Sequence, residues 1–323
     1  MNRMAVYFTI LATAVLLLVF LTLLLGPVGL SFADVCRSLA EPWGEDVAHR
    51  IVWDLRIPRL VAALLAGGAL AVSGLTLQSV FRNPLCGPFV LGISSGASLG
   101  VALALLAGFS FGRFGVLGAA SLGALAVTAV VMWIAYRFRQ SAVLLVAGLL
   151  IGYFIDALVS ILIAGAEAES LRVYVAWGLG SFARLTLDDV WLFALAVCVG
   201  LVLVVCSMRY LNTVRMGEDF ARGLGVRVER ARAMSLLGAS VLTGASTAFC
   251  GPVAFIGIAV PHLAYLLFKT TNHRVLLPAS FLCGSVLAMV AGLFPAGIPL
   301  NAVLSLVGVP VILYVIVRGA KYE

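Results

Sequence analysis

One five-residue stretch has the spacing of a catalytic serine motif. Residues 92–96 read GISSG, a literal G-x-S-x-G, which in serine hydrolases holds the nucleophile on a turn between a strand and a helix. A base for Ser94 would have to come from His262, a single histidine in another apolar stretch. However, glycines recur every four residues at 92, 96 and 100, a pattern typical of close helix packing in membranes. We therefore interpret the stretch as a packing motif rather than as a hydrolase site.

Three other polar residues could act in transport or docking. Asp156 is a carboxylate well inside an apolar stretch, and it either lies on a transport path or is a partly hydrated or protonated carboxyl in the outer half of its helix. Arg56 and Arg59 flank Pro58, so a helix that begins there projects both side chains toward its outer surface. They either snorkel at the membrane interface or bind an acidic partner.

The stretch GEDFARGLGVRVERAR, residues 217–232, is the most polar part of the chain. The protein has 21 basic and 14 acidic side chains, and seven of them fall in these residues. Phe220 and Leu224, at positions i and i+4, predict an apolar ridge flanked by charges. A short amphipathic segment of this kind is suited to binding another protein.

The composition places these residues in a membrane protein. The 323 residues have a mean hydropathy of +1.15 and only 11% charged side chains, far from the range of soluble domains. The long apolar runs predict an all-α fold, because a β-barrel would show short alternating segments instead. Six cysteines lack metal or disulfide spacing, so we expect no metal and no cofactor. The net charge of +7 indicates orientation in the membrane rather than nucleic-acid binding.

Hydropathy predicts about ten membrane-spanning helices. They cover residues 5–25, 57–80, 88–108, 114–136, 141–164, 190–208, 233–250, 252–268, 275–294 and 300–317. Loops on the side of the N-terminus carry 14 basic residues and the opposite loops carry seven. The positive-inside rule therefore places both termini and the loop 209–232 in the cytoplasm. No loop is long enough for a soluble domain, so residues 1–323 are predicted to form one transmembrane domain.

A short similarity hints at an inverted internal repeat. Cys86-Gly87-Pro88 resembles Cys250-Gly251-Pro252, and each triplet follows a helix rich in small residues. One copy faces the cytoplasm and the other faces outward, as an inverted repeat requires. Because so few residues match, chance similarity is an alternative explanation to a repeat.

The chain has no loop of the kind that binds ATP in P-loop proteins. Its only lysines are Lys269 and Lys321, and neither lies in a G-x-x-x-x-G-K-[ST] motif. If ATP drives this protein, another polypeptide has to bind it.

Several stretches together resemble the FecCD-type permeases of bacterial ABC importers for iron–siderophore, haem and cobalamin. They are residues 56–100, 217–232, 251–268, 273–280 and 299–318, about a third of the chain. The resemblance implies a multi-pass permease in the bacterial cytoplasmic (inner) membrane that performs no covalent chemistry itself. It also implies a second permease copy, two ATP-binding-cassette ATPase subunits and a periplasmic or lipid-anchored substrate-binding protein, with lipid but no nucleic acid as further partners.

The resemblance also implies roles for particular residues. The segment that couples to the ATPase corresponds to Gly217, Glu218, Asp219, Phe220, Ala221, Arg222, Leu224 and Gly225. Arg56 and Arg59 correspond to arginines that receive carboxylates of the binding protein, although residues 289–301 lack the further arginine and acidic residue common in the family. Gln140 and Ser141 correspond to the cytoplasmic gate.

Two transport mechanisms follow from these observations. We expect an ATP-driven importer for a metal chelate, with iron–siderophore or haem ahead of cobalamin. The alternative is an ion-coupled secondary transporter, which the inverted repeat and Asp156 favour. An uncoupler applied at constant ATP would stop the secondary transporter and leave the importer active.

Overall fold

The structure is a computed structural model that describes residues 3–26, 28–41, 44, 46–108, 115–138, 141–295 and 298–319. Regular structure in these residues is helical throughout. The α-helices are α1 (Arg3–Leu24), α2 (Phe32–Ala40), α3 (Val47–Arg50), α4 (Ile57–Phe81), α5 (Ile93–Leu106), α6 (Gly115–Arg137), α7 (Ser141–Ala164), α8 (Ala168–Gly178), α9 (Leu187–Cys206), α10 (Met208–Thr213), α11 (Glu218–Gly223), α12 (Val228–Cys250), α13 (Ile256–Phe268), α14 (His273–Gly292) and α15 (Leu300–Gly319). A π-helical segment, Ile51–Arg56, joins α3 to α4, and 3₁₀ turns cover Pro88–Leu91, Phe182–Arg184 and Val214–Met216.

The all-α membrane class predicted from hydropathy is confirmed. Among the described residues, seven helices are long and apolar enough to cross a membrane, and α5, α13 and α15 are shorter apolar helices. These ten follow the order of the ten predicted spans. The number of crossings and the cytoplasmic position of the termini stay predictions, since both depend on a bilayer.

Some predicted helix starts are wrong, and glycines explain two of them. The third span begins at Ile93 rather than at residue 88, because Gly92 has a φ of 70° and separates the helix from a 3₁₀ turn. The eighth begins at Ile256 rather than at residue 252, because Gly251 and Phe255 both have positive φ values. The left-handed region suits glycine but strains Phe255.

Small residues bring helix backbones into contact, as their spacing predicts. A Cβ atom added to Gly67 of α4 would overlap the carbonyl oxygen of Gly284 on α14. One added to Gly100 of α5 would likewise overlap the carbonyl oxygen of Ala119 on α6. Van der Waals packing of this kind drives helix association in lipid, where the hydrophobic effect contributes little.

The core of the bundle is built around α4, α12 and α14, while α1, α7 and α9 lie at its rim. Ser73 of α4 links two of the core helices: its Oγ donates to the Ala239 carbonyl of α12 at 2.9 Å and lies 2.8 Å from Thr243 Oγ1. Hydrogen bonds between helices satisfy polar groups that lipid cannot solvate.

The helix packing follows the order expected of an internal repeat. Helix α4 packs on α14, and α12 packs correspondingly on α6. Similarly, α5 packs on α6 and α7, and α13 packs on α14 and α15. Exchanging α4–α7 with α12–α15 therefore preserves the main contacts, which supports the repeat that the two Cys-Gly-Pro triplets predict.

Candidate functional site

The candidate site is centred on α11, the short helix at the start of the charged stretch. Gly217 precedes it with a φ of 113°, and Gly225 follows it with a φ of 76°. Both angles favour glycine, so the two glycines bend the chain sharply into and out of the helix. We call residues 217–225 the coupling segment. Ala221 on its inner face is fully buried, which seats the segment against the rest of the chain.

The outer face of the coupling segment carries the predicted apolar ridge. Phe220 is 46% exposed and Leu224 is 59% exposed. The Asp219 side chain beside them is fully exposed. An apolar ridge that projects from the chain with charge at its edge has the anatomy of a protein-binding surface.

Arg222 is held by carboxylates of its own loop. Its guanidinium lies 2.9 Å from Asp219 Oδ1, 3.2 Å from Glu229 Oε1 and 3.5 Å from Glu218 Oε2. Because Glu229 belongs to α12, these pairs connect the coupling segment to a core helix. The side chain therefore orders the loop internally as well as contributing charge to its surface.

Arg232 forms a second connection, which sequence reasoning missed. The positive-inside rule treats it only as one of the basic residues of the loop 209–232, but Arg232 is only 4% exposed and its Nη1 lies 3.8 Å from Glu218 Oε1. Tyr210 lies in the same cluster, where burial and then the charge of Glu218 raise the pKa of its phenol. Nothing in the spacing of these residues separates a buried arginine from its exposed neighbours.

A cleft of about 900 Å³ separates the coupling segment from the ends of two membrane helices. Phe81 and Arg82 from the end of α4 line one side, and Ala142 and Val146 from the start of α7 line another. The predicted gate residue Ser141 begins α7 next to this cleft, whereas Gln140 lies outside the described residues. The coupling segment and the start of α7, where the gate is predicted, thus lie at the same end of the bundle.

Asp156 lies elsewhere, on the face of α7 that points away from the bundle. Tyr174 of α8 is close enough for the Asp156 charge to act on it: burial, followed by that charge, raises the pKa of the Tyr174 phenol. Within one chain Asp156 therefore faces lipid or a second copy rather than an internal cavity. Its predicted place on a transport path stays a hypothesis that needs the partner copy.

Arg56 and Arg59 do not both project outward, and in this respect the prediction is wrong for Arg56. Arg56 is only 6% exposed, and its guanidinium donates to the carbonyls of Leu24 at 3.1 Å and Val28 at 2.6 Å. Arg59 Nη2 donates to the Gly292 carbonyl at 2.5 Å. The last carbonyls of a helix have no partner within it, and a cation there also interacts favourably with the helix dipole. The two arginines thus cap the ends of α1 and α14.

Arg56→Met should lower the free energy of unfolding by about 1–3 kcal/mol, because the carbonyls at the end of α1 lose their donor. Thermal unfolding of the purified protein in detergent measures the effect. Arg50→Met, at an exposed arginine on the same side, is the matched control and should change little. Normal stability combined with weaker capture of the binding protein would instead indicate that Arg56 docks the partner directly.

The contacts of the serine motif do not support hydrolysis. Ser94 is buried, and its Oγ lies 3.3 Å from Thr247 Oγ1 of α12. His262 uses Nδ1 for the carbonyl of Ile258 in its own helix, at 2.8 Å. Ser94 lies near the start of a helix that no strand precedes, so the strand-to-helix elbow that this chemistry requires is not formed.

Together these features define a class of protein. The chain is a multi-pass helical membrane protein with an exposed apolar ridge on a short helix at one end, and its sequence contains no P-loop motif. These features are typical of a membrane transport permease.

The chain belongs to the FecCD transport family, whose model matches residues 14–318. It is 32% identical over 286 residues to the vitamin B12 import system permease protein BtuC of Salmonella typhi, covering 86% of this chain and 87% of that one. It is 34% identical over 280 residues to the uncharacterized ABC transporter permease protein YvrB of Bacillus subtilis, covering 83% and 79%. A solved structure of an ABC transporter assigned to the metal-chelate type, in an inward-facing conformation, matches with a TM-score of 0.85 and 27% identity over 97% of this chain and 99% of that one. The chain is accordingly a permease subunit of an ABC importer.

Proposed function

We propose that this permease works as two copies with two ATPase subunits and imports a metal chelate or cobalamin across the bacterial cytoplasmic membrane. The observation that carries the proposal is the coupling segment. It has an exposed apolar ridge, it is held to the rest of the chain on its buried face, and the sequence contains no P-loop motif for ATP. Family membership favours this mechanism over an ion-coupled carrier.

The coupling segment supports docking of an ATPase in two ways. Phe220 and Leu224 supply apolar area for a hydrophobic groove, while Ala221 and Glu218 attach the same helix to the chain. A helix that lays an apolar face into a groove is a common recognition mode. Because the coupling segment is held to the chain in this way, we expect a movement of the ATPase to displace the membrane helices rather than to bend the loop alone.

A second permease copy would cover the apolar faces left open at the rim. Helix α7 exposes Val146, Leu150 and Tyr153, and α15 exposes Leu306 and Leu313. A partner copy on the α7 face would also meet Asp156. We infer that the substrate path runs between the copies, because the exposed α7 face that would form this interface carries Asp156 beside its apolar side chains.

The substrate class is inferred from the relatives, of which one imports vitamin B12 and one is assigned to metal chelates. Proteoliposomes can be prepared with the permease and with the ATPase and binding protein encoded by neighbouring genes. When loaded with ATP, they should take up cyanocobalamin, haem or a ferric hydroxamate. We expect one probe to exceed the others at least about tenfold, because a site that hydrogen-bonds its ligand rejects an unmatched one. Uptake that persists without ATP and collapses with an uncoupler would overturn the proposal in favour of an ion-coupled carrier.

A further inference from the structure

A buried histidine connects three helices at the end of the bundle that carries the coupling segment. His273 is the first residue of α14 and is 0% exposed. Its ring lies between Asn212 of α10 and Ser79 near the end of α4. Nδ1 is 2.9 Å from Asn212 Oδ1, and Nε2 is 2.7 Å from Ser79 Oγ.

The partners decide where the proton of the His273 ring lies. The His273 backbone N–H, which can only donate, points at the Asn212 side chain at 2.8 Å, so the amide atom facing it is the oxygen. An amide oxygen can only accept, so Nδ1 carries the ring hydrogen and Nε2 is an acceptor that faces the Ser79 hydroxyl. That hydroxyl has one hydrogen, and the Leu75 carbonyl in its own helix also accepts it at 2.9 Å. The contacts of Asn212 thus assign the tautomer.

Asn212 lies at the base of the coupling segment. Helix α10 leads through one 3₁₀ turn to Gly217 and then to α11. Its neighbours Tyr210 and Leu211 are fully packed, so α10 cannot shift without moving what it touches. Any displacement of the coupling segment therefore reaches Asn212 over a short, well-packed connection.

We propose that Asn212, His273 and Ser79 form the positioning joint through which movement of the coupling segment reaches α4 and α14, an inference that rests on the proposed function. Hydrogen bonds weaken steeply when they are misaligned, so two at the His273 ring and one at its backbone N–H fix direction as well as distance. Backbone contact at Gly67 and Gly284 makes α4 and α14 move as one body. Beyond the joint, the motion passes to the helical stretch Val47–Phe81, whose far end lies at the opposite side of the bundle.

The Arg232–Glu218 ion pair serves the same segment differently. At 3.8 Å it holds the coupling segment to α12, but a charge pair tolerates rotation and sliding better than aligned hydrogen bonds do. The joint and the ion pair therefore have separable effects. Loss of the ion pair weakens the attachment of the coupling segment to α12. Loss of the joint leaves that attachment in place but removes the connection between the coupling segment and helices α4 and α14.

The test measures motion at the far end of the helical stretch Val47–Phe81. A nitroxide attached through Val47→Cys, at a residue 75% exposed, reports the distance between the two copies in a background without the native cysteines. In the complex with the ATPase subunits, ATP with vanadate should change this distance. We expect Ser79→Ala and Asn212→Ala to lower the fraction of complexes that switch about tenfold, while the separate ATPase subunits still hydrolyse ATP.

Matched variants separate the joint from general packing. Ser246→Ala removes another buried serine, whose hydroxyl donates within its own helix to the Leu242 carbonyl at 2.8 Å, and it should switch normally. Ser79→Thr keeps a hydroxyl and should restore most of the switching. Normal switching in both Ser79→Ala and Asn212→Ala would overturn the joint and leave the proposed function standing. A wild-type permease that binds no ATPase would overturn both.

Discussion

Phe220→Asp should lower ATP-driven uptake at least about 100-fold while the permease still folds, because Phe220 is the expected anchor of the contact with the ATPase. Nearly half of this side chain is exposed in the chain alone, so a carboxylate at the same place stays hydrated in the free permease. In the assembled importer that carboxylate would be buried against the partner, where an unpaired charge is costly. Two measurements check the result: recovery of the ATPase with a tagged permease, and uptake in proteoliposomes.

The conservative variant Phe220→Leu is the control, since it keeps an apolar side chain at the same position and should retain uptake within about threefold. Leu224→Asp, one helical turn further on, should fall between the two. If Phe220→Asp recovers as much ATPase as the wild type, the exposed ridge is not the contact and residues 217–225 have another role.

Gly74→Ala should lower the free energy of unfolding by about 2–3 kcal/mol, a large effect for one added methyl group. A Cβ atom at this position of α4 would overlap the carbonyl oxygen of Gly257 on α13. That carbonyl has no intrahelical partner, because Pro261, four residues later, lacks an N–H group. The two backbones therefore approach too closely here to admit a methyl group, which would push α4 and α13 apart.

Gly118→Ala provides the comparison for Gly74→Ala. Gly118 also lies in a membrane helix, α6, but a Cβ atom added there meets nothing within 4 Å. It should therefore leave the free energy of unfolding within about 1 kcal/mol of wild type, on the stabilising side. Apparent melting temperatures in the same detergent measure both variants. Equal melting temperatures for the two would show that the α4–α13 contact can relax at little cost.

The sequence was sufficient to predict a membrane protein, its helical fold and the order of its spans. A bilayer requires about 20 apolar residues per crossing and punishes unpaired backbone groups, so hydropathy alone nearly determines where helices lie. The exposed ridge of Phe220 and Leu224 was predictable in the same way, because the i and i+4 positions of a short helix share one face whatever surrounds them.

The fate of the charged side chains was not predictable. Arg56, Arg222 and Arg232 all look like surface arginines in the sequence, yet one caps α1, one orders the coupling loop, and one is buried beside Glu218. Each outcome depends on a partner distant along the chain or on a fold of the loop. The sequence shows where each charged side chain lies along the chain, but only the packed structure shows which partner that side chain contacts.

His273 is the clearest example of a residue whose contacts the sequence could not predict. The sequence places a histidine at the start of a membrane helix, and the resemblance included the stretch that contains it, residues 273–280, without indicating a role. The tertiary structure brings in Asn212 from 61 residues away and Ser79 from 194 residues away. Hydropathy and helical periodicity act over one or two turns, so the sequence by itself determined the membrane fold and the exposed coupling ridge. Hydrogen bonds between distant segments form only once the helices have packed, so only the tertiary structure decided how that ridge is connected to the core.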